Sequence, residues 1–363
     1  SKQNFIKADY LLGHIYFEVL KKEYNKGLKY FQHAADSNDP DAQYAMGQLY
    51  YEGRCVERDM NKAFHYFKMS ADQKNKFAQH RLGILYKNGE YVNYDMNKAI
   101  YYLTLAANQN HSESQFVLGC IYLSPENLDL KKCFDYFTLA ADSNNHRGAQ
   151  YCLAILYFEG YAVKRDIKKA IFYFKETSSM SNQYSKNNLG IIYKLGDGVD
   201  KNISIAIEYF NEAIDRNNDS AAMFNLAHIY LYEEGVKFDL DKAIGLLIKA
   251  TLLENIFAYN SLKLALIKKY KNISKLVIEN ELKNNGVKKI DKLVNQIYND
   301  IIKRNLTNPN YFIFSYEINK DINLVYDLNF NYKQIDIKIE KKSRMTSKSS
   351  NEINSDFYAG FEA

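Results

Sequence analysis

The feature that most constrains this chain is a recurrence: a small residue followed three positions later by tyrosine, seven times over. Gly13, Gly47, Gly83, Gly119, Ala154, Gly190 and Ala227 return at steps of 34 to 37 residues, and Tyr16, Tyr50, Tyr86, Tyr122, Tyr157, Tyr193 and Tyr230 keep the same step. A second register runs in phase with the first: Gly27, Ala63, Ala99, Cys133, Ala170, Ala206 and Ala243. A period of this size marks stacked supersecondary units, because one unit cannot bury its apolar face alone.

Each period reads as two helices joined by a turn. In the first, helix A, Leu or Met precedes the small residue and Ile or Leu stands two residues after it, as in Met46-Gly-Gln-Leu49. These offsets share one arc of a 3.6-residue helix. Glycine inside a helix costs about 1 kcal/mol against alanine, so its return points to another backbone crossing closely there. Gly53, Gly89, Gly160, Gly196 and Gly235 then offer a left-handed stop. Asp59, Asp95, Asp129, Asp166, Asn202 and Asp239 stand four residues before the second small residue, where a side-chain oxygen can cap the start of helix B. Glu23 fills that place in the first unit, and is a poorer cap. Exit loops carry Asn38, Asn110, Asn145 and Asn218, a residue tolerant of left-handed backbone.

Composition supports long helices: the 363 residues include only 3 prolines. The 32 tyrosines suit helix contacts with a wet hydroxyl tip. Net charge is +5, too small to argue for nucleic acid, and it gathers between Lys268 and Arg304, a solvated helix surface or a site for an acidic partner or lipid headgroup. Cys55, Cys120, Cys133 and Cys152 make no metal-ligand spacing. Free thiols are expected, with a Cys120–Cys133 bridge as the alternative. No apolar run is long enough for a transmembrane helix. The chain opens near a repeat boundary without an initiator Met or apolar leader, which reads as a start inside a longer protein with upstream repeats, a signal peptide or another domain to come before it.

The motif Ala-x-x-x-Leu-Gly-x-Leu-Tyr, a glycine turn, then Asp-x-x-Lys-Ala-x-x-Tyr-Phe-x-x-Ala-Ala resembles the Sel1-like repeat family, a relative of the tetratricopeptide repeat. Leu82-Gly-Ile-Leu-Tyr86, Gly89, Asp95-Met-Asn-Lys-Ala99 and Ala106-Ala107 carry it well. The resemblance implies a right-handed α/α solenoid of about seven helix pairs over residues 1–270. It also implies a non-enzymatic scaffold or adaptor that gathers other proteins.

A degenerate eighth helix A is expected around Ala258–Ile267, where Lys263 replaces the small residue. Two capping helices follow in 271–306. The pattern then changes to period two: Leu324, Tyr326, Leu328, Phe330 and Tyr332 alternate with mostly polar residues, as do Ile335, Ile337 and Ile339. Residues 307–340 therefore read as a small β-like hairpin or meander. The Ser-, Lys- and Asn-rich 341–363 reads as a disordered tail ending in an aromatic docking motif, Phe357, Tyr358 and Phe361.

No catalytic fingerprint is present. The seven histidines are scattered, and neither a nucleophile elbow nor a phosphate loop occurs. Gly196-Asp-Gly-Val-Asp-Lys-Asn202 lacks the calcium-loop order, and the Asn-x-Ser/Thr sequons are coincidence in so Asn-rich a chain. Catalysis, cofactors, metals and nucleic acid are thus not expected. What remains is surface. On helix A, opposite the recurring core, aromatic side chains alternate with polar ones: Gln48, Arg81, Lys87, Asn188, Lys194, Asn225 and His228 are the candidate partner-binding residues for a protein or peptide. The alternatives are a self-docking tail, giving autoregulation or self-assembly, and a regulatory part of an enzyme complex. The compartment expected is cytoplasmic, or the ER lumen or secretory route if a signal peptide was removed.

Overall fold

The computed structural model describes residues 2–19, 23–144, 146–179, 183–232, 235–270, 274–287 and 291–303. The expected hairpin at 307–340 and the tail with Phe357, Tyr358 and Phe361 lie outside the described residues. Those described form seventeen α-helices and no strand.

The chain divides into two compact units within one helix, after Leu156. The first unit holds α1 (Lys2–His14), which runs on through a π-helical turn (Ile15–Val19), α2 (Tyr24–Asp36), α3 (Pro40–Glu52), α4 (Met60–Asp72), α5 (Lys76–Asn88), α6 (Met96–Ala107), α7 (Ser112–Leu123), α8 (Leu130–Asn144) and the body of α9 (Arg147–Glu159). The second continues with α10 (Ile167–Ser179), α11 (Gln183–Leu195), α12 (Ile203–Asn217), α13 (Ser220–Tyr232), α14 (Leu240–Leu252), α15 (Ile256–Lys269), α16 (Lys275–Asn284) and α17 (Asp291–Lys303). Odd-numbered helices up to α15 are the A helices. Consecutive helices pack on one another, so α3, α5 and α7 in the first unit and α11 and α13 in the second each lie between two B helices.

At the recurring glycine a side chain of helix B comes closest, with backbone of that helix next to it at Gly47 and Gly83. A Cβ built on Gly47 would lie 2.6 Å from Cδ1 and Cε1 of Phe67, and on Gly119 2.5 Å from the same atoms of Phe137. The space belongs to the side chain of the paired helix B four residues after its own small residue, a phenylalanine ring at Gly47, Gly119 and Gly190 and Leu103 at Gly83. Phe67, Phe137 and Phe210 are fully buried in this way. The Ala63 carbonyl, 3.3 Å from the same point, is the closest backbone.

The turn repeats as a clamp. Gly53 ends α3 in the left-handed region (φ 68°), its N–H bonded to the Leu49 carbonyl. The next cap, Asp59, donates its own N–H to the Tyr50 carbonyl (3.0 Å) and accepts from the Lys62 N–H (3.0 Å). Asp95, Asp129, Asp166, Asn202 and Asp239 do the same for their helices B. Glu23 makes no side-chain cap. The invariant tyrosine stacks on the tyrosine of helix B, Tyr50 on Tyr66 at 5.9 Å and Tyr86 on Tyr102 at 5.9 Å between centroids. The lysine of the Asp-x-x-Lys motif lies over that ring: Lys62 Nζ is 5.0 Å from Tyr50 and Lys98 Nζ is 5.2 Å from Tyr86. Exit loops turn through left-handed Asn38, Asn110 and Asn218, and also through Lys74 and Glu254.

Neighbouring repeats are stitched by buried glutamines. Gln79 Nε2 donates to the Ala71 carbonyl (3.2 Å), and its Oε1 accepts from Gln109 Nε2 (2.8 Å). Gln43, with no exposed surface, repeats the arrangement with Ala35 and Gln73. Buried amides placed this way leave few stacking registers with every polar group satisfied.

Candidate functional site

In the first unit the A helices leave a pocket of ≈ 390 Å³ between α1, α2 and α3, with Phe77 of α5 at its edge. Its floor is aromatic. Phe17 and Phe31 are 3% exposed and their rings are 5.4 Å apart. Tyr10 lies 5.9 Å from Phe31, and Tyr44 lies 5.7 Å from Phe77. Phe77 is 45% exposed, unlike the core rings.

Polar groups stand above that floor. Asp41, in the first turn of α3, accepts from Asn75 Nδ2 through Oδ1 (2.8 Å). Burial and the neighbouring Asp39 raise its pKa above the usual carboxylate value. Tyr10 is pushed up to about 12 by burial and by Asp41 and Asp39. Glu52 closes the other end of α3 and lines the pocket, together with Gln48 and Arg54. The Gln48 side-chain carbonyl has no donor among the described residues. Arg54 lies over the Phe17 ring at 5.4 Å and over Tyr24 at 5.7 Å.

The polar residues singled out from the sequence fall into two groups. Gln48 lines this pocket. Arg81 sits beside it with its guanidinium 5.1 Å over Tyr51, its Nε having no acceptor among the described residues. Lys87 is half-buried in the last turn of α5. The four from the second unit are interior. Asn188 is 3% exposed, Lys194 5%, Asn225 1% and His228 4%. Asn225 Nδ2 donates to Asn187 Oδ1 (3.0 Å), and His228 Nε2 lies 3.2 Å from Ser261 Oγ. Burial and the charge of Lys194 push His228 down to about 3, so it stays neutral. Asn225 and His228 belong to α13, which is buried almost all round. An amphipathic pattern cannot show that a second face is covered.

A polar cluster that the sequence did not single out joins α5, α7 and α9. His111 Nδ1 accepts from the Ser114 N–H (3.2 Å) and caps α7. The Ser114 hydroxyl lies 2.9 Å from that nitrogen and 2.8 Å from His80 Nδ1. His146 Nδ1 accepts from the Ala149 N–H, and its Nε2 lies 2.9 Å from Glu113 Oε2. A serine between imidazoles suits a nucleophile, but Ser114 has no exposed surface, so no substrate reaches it. The cluster is a capping network.

Cys120, Cys133 and Cys152 lie near one another, yet all four cysteines are free thiols and the expected alternative bridge is not formed. Burial pushes Cys133 and Cys152 up, so neither is a reactive thiolate. No cluster of three or more metal-ligating side chains occurs among the described residues. None of their helices is long and apolar enough to cross a membrane.

The Sel1 repeat profile matches seven consecutive segments: 6–39, 40–75, 76–111, 112–145, 148–182, 183–218 and 220–255. The chain belongs to the Sel1-repeat family. Its helix pairs are therefore Sel1 repeats, the clamp at Asp59 and its equivalents is the joint within each repeat, and the fold is a TPR-like α-solenoid. Two solved Sel1-type structures resemble it. One is a protective antigen present in uropathogenic Escherichia coli strains and displaying an SLR fold, 23% identical with a TM-score of 0.66, covering 82% of this chain and 68% of that one. The other is a Sel1 repeat protein from Oxalobacter formigenes, 24% identical with a TM-score of 0.56, covering 67% of this chain and 96% of that one. At these identities the likeness concerns the fold. No curated protein matches the chain in sequence.

Proposed function

We propose that this Sel1-repeat chain is a non-catalytic protein-interaction scaffold that takes an extended or helical peptide on the A-helix face of its first unit. The observation that carries the reading is the aromatic pocket there, whose edge ring Phe77 is exposed and whose Gln48 carbonyl lacks a donor. Large rings held by a rigid scaffold over a concave floor give a partner apolar area at small ordering cost. Gln48 and Arg81 are the sequence-derived residues that this reading keeps. The Asn188, Lys194, Asn225 and His228 group instead holds the second unit together.

Selection from a displayed random peptide library on the intact chain tests the reading. Enriched peptides should bind the intact chain and lose most of their affinity for Phe77→Ala and Gln48→Ala. Peptides that bind both variants as well as the parent would move the site elsewhere. A peptide of residues 356–363 belongs among the probes, because self-docking of the tail would show as its binding at the same pocket.

A further inference from the structure

The chemistry of the pocket in the first unit is one-sided, and this selects a ligand. The inference rests on the scaffold reading and names the partner chemistry of the same site. Among its charged lining residues two carboxylates, Asp41 and Glu52, face one guanidinium, Arg54, and His14 is engaged with the Tyr10 hydroxyl at 2.9 Å. Asp41 uses one oxygen for Asn75 and keeps the other, Glu52 is exposed at the opposite end of α3, and Gln48 contributes a carbonyl without a donor. The lining cation, Arg54, is committed to the rings of Phe17 and Tyr24 at the rim. The faces of Tyr10, Phe31 and Tyr44 add the negative side of their quadrupoles. Burial is the main reason that Tyr10 is held up to about 12 and Asp41 above its ordinary value, and the nearby aspartates add to it.

A group that complements this set has donors only, a positive charge and a long apolar stem. Lysine and arginine are the side chains of that description. The rim itself supplies a precedent, since Arg54 lies on Phe17. An acidic ligand would meet two carboxylates, which argues against the chain's own end, where Asp356 and Glu362 flank the aromatic residues. We propose that the pocket is a receptor for an arginine or lysine side chain presented by an extended partner peptide.

The test uses the intact chain and three fluorescent peptide pools, identical except for Arg, Lys or Glu fixed at the central position with random flanks. Binding is read by polarisation at low and at raised salt. The Arg and Lys pools should bind and the Glu pool should not. Asp41→Asn should weaken the basic pools by about tenfold and flatten their salt dependence. That variant retains an oxygen for Asn75, so it should fold. Glu52→Gln should act in the same direction. Asp215→Asn, an exposed carboxylate on α12, is the control and should change nothing. Equal binding of the Arg and Glu pools, or basic-pool binding unchanged in the Asp41→Asn, Glu52→Gln double variant, overturns the proposal. If the charge preference is absent but Phe77→Ala still abolishes binding, the inference fails while the scaffold reading stands. Binding by no pool overturns the inference. The display selection then judges the scaffold reading separately.

Discussion

Substituting Gly47 by alanine sets two physical effects against each other, and the structure says which wins. Helix propensity favours alanine by about 1 kcal/mol inside a helix. Packing opposes it. The new Cβ would sit 2.6 Å from two ring carbons of Phe67, about 1 Å inside an ordinary carbon–carbon contact. Phe67 is fully buried, so its ring cannot swing away into solvent. Overpacking of this kind costs about 1–3 kcal/mol, which leaves a net loss of up to roughly 2 kcal/mol once the propensity gain is subtracted. Leucine in place of the ring does not open the space, because a Cβ built on Gly83 would still lie 2.6 Å from Leu103 Cγ. Phe67→Ala alone should cost about 3–5 kcal/mol as a large-to-small change. In the Gly47→Ala, Phe67→Ala double variant the clash is gone and the helix gain returns, so the two losses should not add. A favourable coupling of about 1–2 kcal/mol is expected from the double-mutant cycle. The assay is urea unfolding followed by far-UV circular dichroism, with amide exchange in α3 and α4 reporting the local stability of that repeat. If Gly47→Ala raises stability by about 1 kcal/mol, or if the two changes simply add, the ring-seat explanation is wrong.

Three further outcomes are expected. Asp59→Ala should cost about 1 kcal/mol, the worth of an N-cap, and should raise exchange in the first turn of α4, whereas Glu23→Ala, at a helix start without a side-chain cap, should change little. His80 is held down to about 4 by burial and by His111, against Glu113, which acts upward, and with Arg81 beside it. Its folded value lies below the unfolded value near 6.5, so its contribution is intact above that pH and is lost as pH falls from 6.5 towards 4. The loss at pH 5 is about 2 kcal/mol, and urea midpoints at pH 7 and 5 should converge in His80→Gln relative to the parent. Gln79→Leu should cost about 1–3 kcal/mol by leaving the Ala71 carbonyl without its donor in the interior, measured as a shift in urea midpoint against the exposed control Gln296→Leu.

The two-helix period, the caps at Asp59 and its equivalents, the glycine stops and the asparagine exits are local or periodic properties, and each repeat spelled them out independently. Seven repetitions average out the ambiguity that one helical segment would carry. Other features needed the third dimension. That Gly47 makes room for Phe67, and that Lys62 and Tyr66 both meet the Tyr50 ring, depends on which residues of helix B meet helix A. The separation of Gln48 and Arg81 from Asn188, Asn225 and His228 depended on burial, which a helical wheel does not contain. All of these side chains occupy equivalent arcs of helix A, so their sequence signal is the same. The histidine network of α5, α7 and α9 was also beyond reach, because His80, His111 and His146 are 31 and 35 residues apart and match no motif. The sequence alone determined the repeat, because its rules act within a turn or two of helix. Tertiary structure alone decided where those repeats bury polar groups and where they leave a pocket, because burial is set by neighbours that the chain brings together only when it is stacked.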